Sequence, residues 1–481
     1  MGHDLSVGAR QLIGPEPGIS MGLNRAVAHA NPVGEMSRLD DPGEPLSADA
    51  YPVPSPDRWG IWSWALYDWA NSAFATTVLA GFFPIFFRLY WSSGAQGSVP
   101  SFRLGLANTI GSIVVVVLAP VLGAIADAGG IRKKMLAAFA AMGVLATGGL
   151  WLVGQGQWRA AVVLFVLGNL GFMGGNIFYD ALLVNVAPPN RRDFVSGLGF
   201  ALGYLGGGLL FAVQVAAVLS PTTFGFADKS AATRVAFLTV GAWWAVFAVP
   251  LFMFVKEPAG RGSPGRAIRD GLRQLRETAH MLWSKQLQVV VTFVVAYWLY
   301  IDGVHTIIRM GLDFGLAVGL KQADLILALL MVQFIGFPAA LAFGRLGERI
   351  GAKRGVLIGI GGYVVVTIVA TLITKERPWL FFVLAGGIGL FQGGVQALSR
   401  SLFTRIIPRH KATELFGFYN MLGKFAAVLG PVLVGLTSLV TGDPRLSILA
   451  VLVFLVPGGL CLMRVDVARG EHLAREQEGG C

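Results

Sequence analysis

Two stretches of the sequence decide the fold: GAIADAGGIRKK, Gly123–Lys134, and GRLGERIGAKR, Gly344–Arg354. Each begins with a glycine, has an acid four residues later and a second glycine three residues after the acid, and then a basic pair. We call this pattern the loop motif. Its matched residues are separated by 221 positions. They are Gly123, Asp127, Gly130, Arg132 and Lys133 in the first copy, and Gly344, Glu348, Gly351, Lys353 and Arg354 in the second.

Both copies of the loop motif lie between long apolar segments. Hydrophobic residues make up 54% of the 481 positions, charged residues only 14%, and the mean hydropathy is +0.65. A soluble globular protein carries about 25% charged residues, so a soluble enzyme, a disordered protein and a fibrous protein are excluded. Each segment can cross a hydrocarbon core of about 30 Å, and must be helical to satisfy its backbone. The segments lie at about 59–87, 104–126, 135–154, 160–187, 195–219, 235–255, 286–309, 323–345, 355–373, 379–402, 415–440 and 445–464.

The repeat predicts how the twelve helices are organised. A second match, with an offset of 220, relates Pro188 to Pro408, Gly197 to Gly417 and Gly203 to Gly423. We therefore expect an all-α polytopic membrane protein with two pseudo-symmetric six-helix bundles, which are parallel repeats about an axis along the membrane normal. The predicted parts are a flexible tail at 1–57, bundles at 58–255 and 286–464, a basic linker at 256–285 and a C-terminal tail at 465–481.

The net charge of +11 has a membrane explanation rather than a nucleic-acid one. Lys and Arg occur in short bursts between the apolar segments, and are more frequent in the loops that face the cytoplasm if both termini are cytoplasmic. The linker has an apolar stripe with arginines beside it, which predicts an interfacial helix on anionic lipids, or a lipid-regulated latch. The stripe consists of Ile268, Leu272, Leu275, Ala279 and Leu282. The excess of arginine over lysine suggests a bacterial source, so we expect the protein to lie in the inner membrane. We also expect it to be a monomer.

The chemistry of the loop motif is local. Its first glycine permits a close helix crossing. Its acid lies at a helix end, where it can pair with arginines or cap the N-terminus of a neighbouring helix. Two copies at matching loops of two six-helix halves are a strong signal, because chance rarely repeats such spacing.

Several longer motifs resemble one family. SWALYDWANSAFATTV (Ser63 to Val78), APPNRRDFVSGLGFALGYLGGG (Ala187 to Gly208) and GGVQALSRSLFTRIIP (Gly393 to Pro408) resemble motifs of the bacterial "unknown major facilitator" family. So do LYIDGVHT (Leu299 to Thr306) and GFYNMLGKFAAVLGP (Gly417 to Pro431). That family belongs to the major facilitator superfamily and is related to the autophagy-linked vacuolar effluxer of fungi. The resemblance covers about 60–464 and implies secondary transport, with amino-acid efflux implied by the fungal relatives.

Acids within the membrane are costly, and such residues are functional candidates by default. Asp68 and Asn71 share a face of segment 1, and Asp302 and His305 have the same spacing in segment 7. Both stripes are predicted to face a central cavity. A buried carboxylate can carry a proton, and histidine titrates near neutrality. The stripes therefore predict proton or substrate binding, with static helix packing as the alternative.

A third acid, Asp180, is related to Arg400 by the offset of 220. Both precede a matching proline by eight residues, so we expect them at similar depth near the cytoplasmic ends of segments 4 and 10. The predicted role is an ion pair that keeps an inner gate shut. The alternative is a contact within one half, from Asp180 to Arg191 or Arg192.

Lys424 lies near the predicted midplane of segment 11. It could bind a substrate carboxylate, or pair with Asp302 or Asp68. With Asp68 it would supply both charges that a zwitterion needs. Uncharged partners are expected from Asn176, Gln392, Gln396 and Asn420.

The predicted function is alternating-access secondary transport of a small solute, an amino acid or similar zwitterion, coupled to protons. The alternatives are efflux of a drug-like or other metabolite, and a non-transporting receptor or scaffold. The sequence contains no nucleotide-binding or phosphate-binding motif and no cluster with metal-ligand spacing, so we predict no cofactor, no metal, no enzymatic activity and no nucleic-acid partner.

Overall fold

The computed structural model describes residues 57–94, 99–257, 268–269, 271–273, 275–276, 288–319, 321–374, 376–442 and 444–479. The predicted tail up to residue 56, most of the linker and the last two residues lie outside the described residues. Within the described part, every element is helical and there is no strand. Each of the twelve predicted segments is a helix, which confirms the all-α prediction.

The first six long helices correspond to the first six apolar segments of the sequence, and polar residues lie between them. In the first of these helices, two stretches, Phe74–Gly81 and Phe87–Trp91, are π-helical. The helices are α1 (Arg58–Trp91), α2 (Val99–Gly129), α3 (Arg132–Gly149), α4 (Trp158–Val186), α5 (Arg192–Leu219) and α6 (Lys229–Phe254).

The second six follow in the same way, and a thirteenth, polar helix ends the described chain. The helices are α7 (Gln288–Val318), α8 (Gln322–Ile350), α9 (Ala352–Ala370), α10 (Trp379–Ile406), α11 (Ala412–Thr441), α12 (Ile448–Met463) and α13 (Val467–Gly479). Ten helices in the described part can span a membrane by length and composition, or eleven if α12 and α13, bent by 66°, count as one span. The remaining apolar stretch, Leu429–Thr441, belongs to α11, so the count is consistent with twelve.

Apolar side chains form two large buried clusters. One is built mainly from α1–α6, with Trp64, Phe83 and Trp244 fully buried, and the other mainly from α7–α12, with Tyr300 and Phe403. The outward faces also carry many exposed Leu, Val and Phe side chains. Such a surface is unfavourable in water and suits contact with lipid.

The two sets of helices meet closely at the end of the molecule that holds both loop motifs, which we call the motif end. A Cβ on Gly123 of α2 would lie 2.6 Å from the Thr413 carbonyl oxygen of α11, and one on Gly197 of α5 would lie 2.7 Å from the Ala340 carbonyl oxygen of α8. These crossings require glycine, because a side chain would force the backbones apart.

Part of the predicted interfacial helix is described. Gly271 packs against the backbone of α2, where its Cβ would lie 2.8 Å from Ile125 Cα. Ile268 and Leu272 of the predicted stripe are about half exposed. The stripe positions Ala279 and Leu282 lie outside the described residues, so the interfacial location stays a prediction.

Candidate functional site

A cavity of about 380 Å³ lies between the two sets of helices. It is the size of a typical small-molecule site. Helices α1, α4, α5, α7, α8, α10 and α11 contribute to its wall. The predicted site residues that line it are Asp68, Asn71, Asn176, Asp180, His305, Gln392, Gln396, Arg400 and Asn420.

Arg400 of α10 joins three helices of the other half at this cavity. Its Nη1 lies 3.0 Å from Asp180 Oδ1 of α4, and its Nη1 and Nη2 each lie 3.4 Å from Asp68 Oδ2 of α1. Its Nε donates to Ser196 Oγ of α5 at 2.9 Å, and its Nη2 to the Ser196 carbonyl at 3.0 Å. The side chains predicted to pair, Asp180 and Arg400, are therefore in contact, and Asp68 joins them.

The guanidinium directs each of its N–H groups at an acceptor, and its two contacts with Asp68 are long, at 3.4 Å. It has five N–H groups, and five hydrogen bonds end on Asp68, Asp180 and Ser196. Its side chain is only 3% exposed, whereas those of Asp68 and Asp180 are 12% and 13% exposed. The two carboxylates are therefore more exposed to the cavity than the guanidinium is.

Aromatic rings enclose the cation on its remaining sides. The guanidinium carbon lies 4.4 Å from the ring centre of Phe200, 4.8 Å from that of Trp64 and 5.5 Å from that of Tyr179. Trp64 and Tyr179 stack with ring centres 4.5 Å apart, and the Tyr179 hydroxyl donates to Asp68 Oδ2 at 2.8 Å. Cation–π contacts of this kind add to the electrostatic fixing of an arginine away from water.

Amide side chains form the polar part of the wall beside the ions. Asn71 Nδ2 donates to Asn176 Oδ1 at 2.7 Å, which links α1 to α4. Asn420 Nδ2 of α11 donates to Asp180 Oδ2 at 3.4 Å. Gln392 and Gln396 of α10 also line the cavity. These groups can bind either end of a polar solute.

The prediction for the second stripe is wrong in one respect. His305 lines the cavity, but Asp302 does not: it is 1% exposed, and its Oδ1 accepts from the Gly430 N–H of α11 at 3.2 Å. Thr306 is likewise buried. The α7 helix turns this face toward α11, where a buried carboxylate satisfies a backbone donor just before Pro431.

Two other predictions for charged groups have different outcomes. The Lys424 side chain lies outside the described side chains, so its role stays a prediction. The alternative pairing within one half is not found for Arg192, which donates instead to the Thr404 carbonyl at 2.7 Å and the Ala187 carbonyl at 3.5 Å.

In the first loop motif, the acid lies between the two halves. Asp127 accepts from Arg132 Nε at 2.8 Å and from the Thr413 and Glu414 N–H groups at 3.2 and 2.9 Å. These N–H groups lie in the first turn of α11, where a carboxylate satisfies otherwise unpaired donors and favours the helix dipole. Arg132 also reaches the Arg409 carbonyl of the second half at 3.1 Å.

The glycines and lysines of both motifs have matching roles. Gly130 and Gly351 have φ of +58° and +91°, a backbone conformation that favours glycine. Lys133 donates to the carbonyls of Phe252 and Val255 at the end of α6, at 3.0 and 2.5 Å. Lys353 donates in the same way to carbonyls at the end of α12, both at 2.8 Å. Each lysine thus compensates the negative end of a helix.

The second acid differs from the first. Glu348 is exposed at the surface of α8. The cross-half contact near it comes instead from Asp193 of α5, which pairs with Arg405 at 2.8 Å and accepts from the Ser401 hydroxyl. Arg354, the last basic residue of this motif, has no contact that would tie the halves together among the described residues.

Some residues that contact the candidate site were not predicted. Tyr179 and Trp64 could have been suspected, because Tyr179 adjoins Asp180 and Trp64 lies one helical turn before Asp68. Ser196 and the cross-half bond from Gln333 Nε2 to Thr76 Oγ1, at 2.6 Å, carry no comparable signal in the sequence.

Comparison with known proteins settles the family. The model of the family described as "Vacuole effluxer Atg22 like" matches residues 89–475. The chain belongs to this family. A Bacillus subtilis (strain 168) protein described as "Uncharacterized MFS-type transporter YxiO" is 33% identical over 417 residues, which cover 86% of this Atg22-like chain and 96% of the relative.

Two further similarities extend this result. The "Autophagy-related protein 22" of Yarrowia lipolytica (strain CLIB 122 / E 150) is 29% identical over 312 residues, covering 59% of this chain and 52% of the relative. The proton:xylose symporter XylE of the major facilitator superfamily shares the fold, with a TM-score of 0.63, 14% identity, and coverage of 87% and 98%. The chain is therefore a multi-pass transporter of the major facilitator type that binds a small-molecule substrate, and it is not an enzyme.

Proposed function

We propose that this Atg22-like transporter moves an amino acid or a similar zwitterion by proton-coupled alternating access. The observation that carries the proposal is the cluster of Asp68, Asp180 and Arg400 on the wall of a cavity between the two halves. A zwitterion needs charged and amide partners in one site, and a proton carrier needs a carboxylate that the cavity can reach.

The cross-half contacts support alternating access. The motif end holds the hydrogen bonds of Asp127 to the first turn of α11, the Asp193–Arg405 pair, and the glycine crossings at Gly123 and Gly197. If the halves at 58–255 and 286–464 rock about the cavity, these contacts must break and re-form in each cycle. The Asp180–Arg400 pair would then serve as the predicted gate.

The remaining parts of the proposal concern the membrane. The motif end faces the cytoplasm, both termini are cytoplasmic, and the membrane is the inner one of a bacterial cell. The protein is a monomer, and the basic linker contacts anionic lipids. One proton moving through 100 mV supplies about 2.3 kcal/mol, which supports a gradient of about 50-fold for a neutral solute carried one-to-one.

The test is proton flux in proteoliposomes that contain a trapped pH dye. Pools of amino acids, sugars, nucleosides and cationic drugs are added separately. We expect a signal with the amino-acid pool that is lost in Asp68→Asn. A folded protein that gives no flux with amino acids would contradict the proposal.

The aromatic content of the cavity gives a second candidate some support. Phe172, Phe200, Tyr204, Tyr297 and Phe381 line it, and an amphipathic cation could pack on these rings. Efflux of a drug-like cation predicts a signal with the drug pool only. A receptor or scaffold would give no flux with any of the pools.

A further inference from the structure

We infer that the carboxylates of Asp68 and Asp180 form one subsite for a primary ammonium group, which a proton occupies when the solute is absent. This inference rests on the proposed function and specifies it: the solute enters with its ammonium on this pair, and one proton leaves to solvent for each ammonium bound. Proton and solute then compete for one site and move in opposite directions.

The first argument is charge. Two ionised carboxylates and one guanidinium sum to one negative charge. Of the described side chains that line the cavity, Arg400 is the one Lys or Arg. A buried charge without compensation is costly in a low-dielectric site. Among the described side chains, the pair therefore lacks one positive charge, which a group can supply from the cavity side.

The second argument is hydrogen-bond capacity. Because each of its five N–H groups has an acceptor, Arg400 can bind a substrate carboxylate only by giving up an existing contact, and the two contacts to Asp68 are the long ones at 3.4 Å. Asp68 Oδ2 accepts three donors, whereas Asp68 Oδ1 accepts none among the described residues. Within the described part of the chain, Asp180 Oδ2 accepts one donor, Asn420 Nδ2, at the long distance of 3.4 Å. The unused capacity is entirely that of an acceptor, and an ammonium brings three donors.

The third argument is position. Both acids contact the same nitrogen, Arg400 Nη1, so their carboxylates are neighbours. Both carboxylates are partly exposed to the cavity, while the guanidinium is enclosed by rings. The other titratable groups among the described residues of the surrounding wall are Tyr179, Tyr204, Tyr297, His305 and Tyr419, and the Asn420 amide contacts Asp180. Of these, His305 lies on α7 and is the one that could add a positive charge.

The experiment compares three matched pools with purified protein in nanodiscs, in weakly buffered solution with a pH dye. The pools are the twenty L-amino acids, their decarboxylated amines and their 2-hydroxy acids. We expect proton release with the amino acids and the amines and none with the hydroxy acids. Asp180→Asn should weaken amine binding at least tenfold and abolish the release. Asp68→Asn is a second variant in case the first does not fold.

Asp228→Asn is the matched control. Asp228 is exposed and caps α6 through the Ala231 N–H, a role that asparagine also fills. The Asp228→Asn protein should release as many protons as the unaltered chain when amino acids or amines are added. Equal responses to hydroxy acids and amino acids, or amine binding with no proton release, would overturn the ammonium subsite. Amine binding without proton release would also point to Lys424 or His305 as the cation that compensates the two carboxylates.

The two proposals fail in different ways. Flux of amino acids in proteoliposomes, with an equal flux of hydroxy acids, would overturn the subsite and leave the proposed transport standing. Amine-dependent proton release by a protein that moves no amino acid in proteoliposomes would support the subsite and contradict the proposed transport.

Discussion

Asp127 and Glu348 hold the same place in two copies of one loop motif, yet their surroundings differ. Asp127 is buried between the halves, paired with Arg132 and bound to the first turn of α11. Glu348 is exposed on α8. The acids of the two transmembrane stripes differ similarly. Asp68 contacts Arg400 of the other half, whereas Asp302 contacts the Gly430 N–H within its own half.

The helices of the two halves therefore follow the repeat, whereas the charged residues that contact the opposite half do not. Acids of the first half reach across to the second half at Asp68, Asp127, Asp180 and Asp193. The second half supplies the opposite partners: Arg400, Arg405 and the N-terminus of α11. A closed interface needs unlike charges on its two sides, so two halves with identical charges could not close in this way.

The largest expected effect is at Arg400. Arg400→Met leaves two neighbouring buried carboxylates without their cation, and should lower the free energy of unfolding by about 3–5 kcal/mol and abolish transport. Thermal unfolding in detergent measures the first effect and proteoliposome flux the second. Adding Asp180→Asn to Arg400→Met should restore part of the stability but not the transport. Unchanged stability in the single variant would contradict the interpretation of this cluster.

Asp127→Ala should have the next largest effect. It removes the carboxylate that pairs with Arg132 and leaves two N–H groups of α11 without an acceptor. The state in which the halves are closed at the motif end should therefore be destabilised by about 3 kcal/mol relative to the open state. Spin labels at Lys134 and Lys411, in a chain without Cys461 and Cys481, report the distance between the halves. We expect a longer distance to become populated. An unchanged distribution would show that the glycine crossings alone hold the halves together.

The Gly123→Ala variant tests whether the first glycines of the two motif copies pack with different tightness. Its Cβ would lie 2.6 Å from a backbone oxygen of α11, and the shift should cost about 1–3 kcal/mol of the closed state. For Gly344→Ala the nearest atom is 3.1 Å away, so the cost should be smaller. The same spin-label pair measures both variants, and equal effects would remove the difference between the two crossings.

Glu348→Gln should have the smallest effect. An exposed side chain outside such contacts changes stability by about 0.5 kcal/mol or less. Unfolding temperature and flux should therefore match those of the unaltered chain. A loss of transport comparable to that of Asp127→Ala would mean that Glu348 makes a cross-half contact in another state of the cycle.

Much of the site could be predicted because charges inside a membrane are few. Asp68, Asp180 and Arg400 stood out for their position in apolar segments, and the offset of 220 brought Asp180 and Arg400 together. The assignment of Asp302 to the cavity was wrong because equal spacing within two helices does not fix how each helix is rotated against its neighbours. Ser196 has no feature in the sequence that would assign it to Arg400, because its contact depends on how α5 packs against α10.

The sequence by itself determined the helices, their number and their twofold repeat, because lipid requires long apolar helices and a repeated motif requires repeated loops. Only the tertiary structure decided which acids cross between the halves and which stay within one. Helix rotation and crossing distance set that choice, and they depend on contacts among residues more than a hundred positions apart. The contacts of Arg400 are an example, since its guanidinium donates to acceptors on three helices of the opposite half.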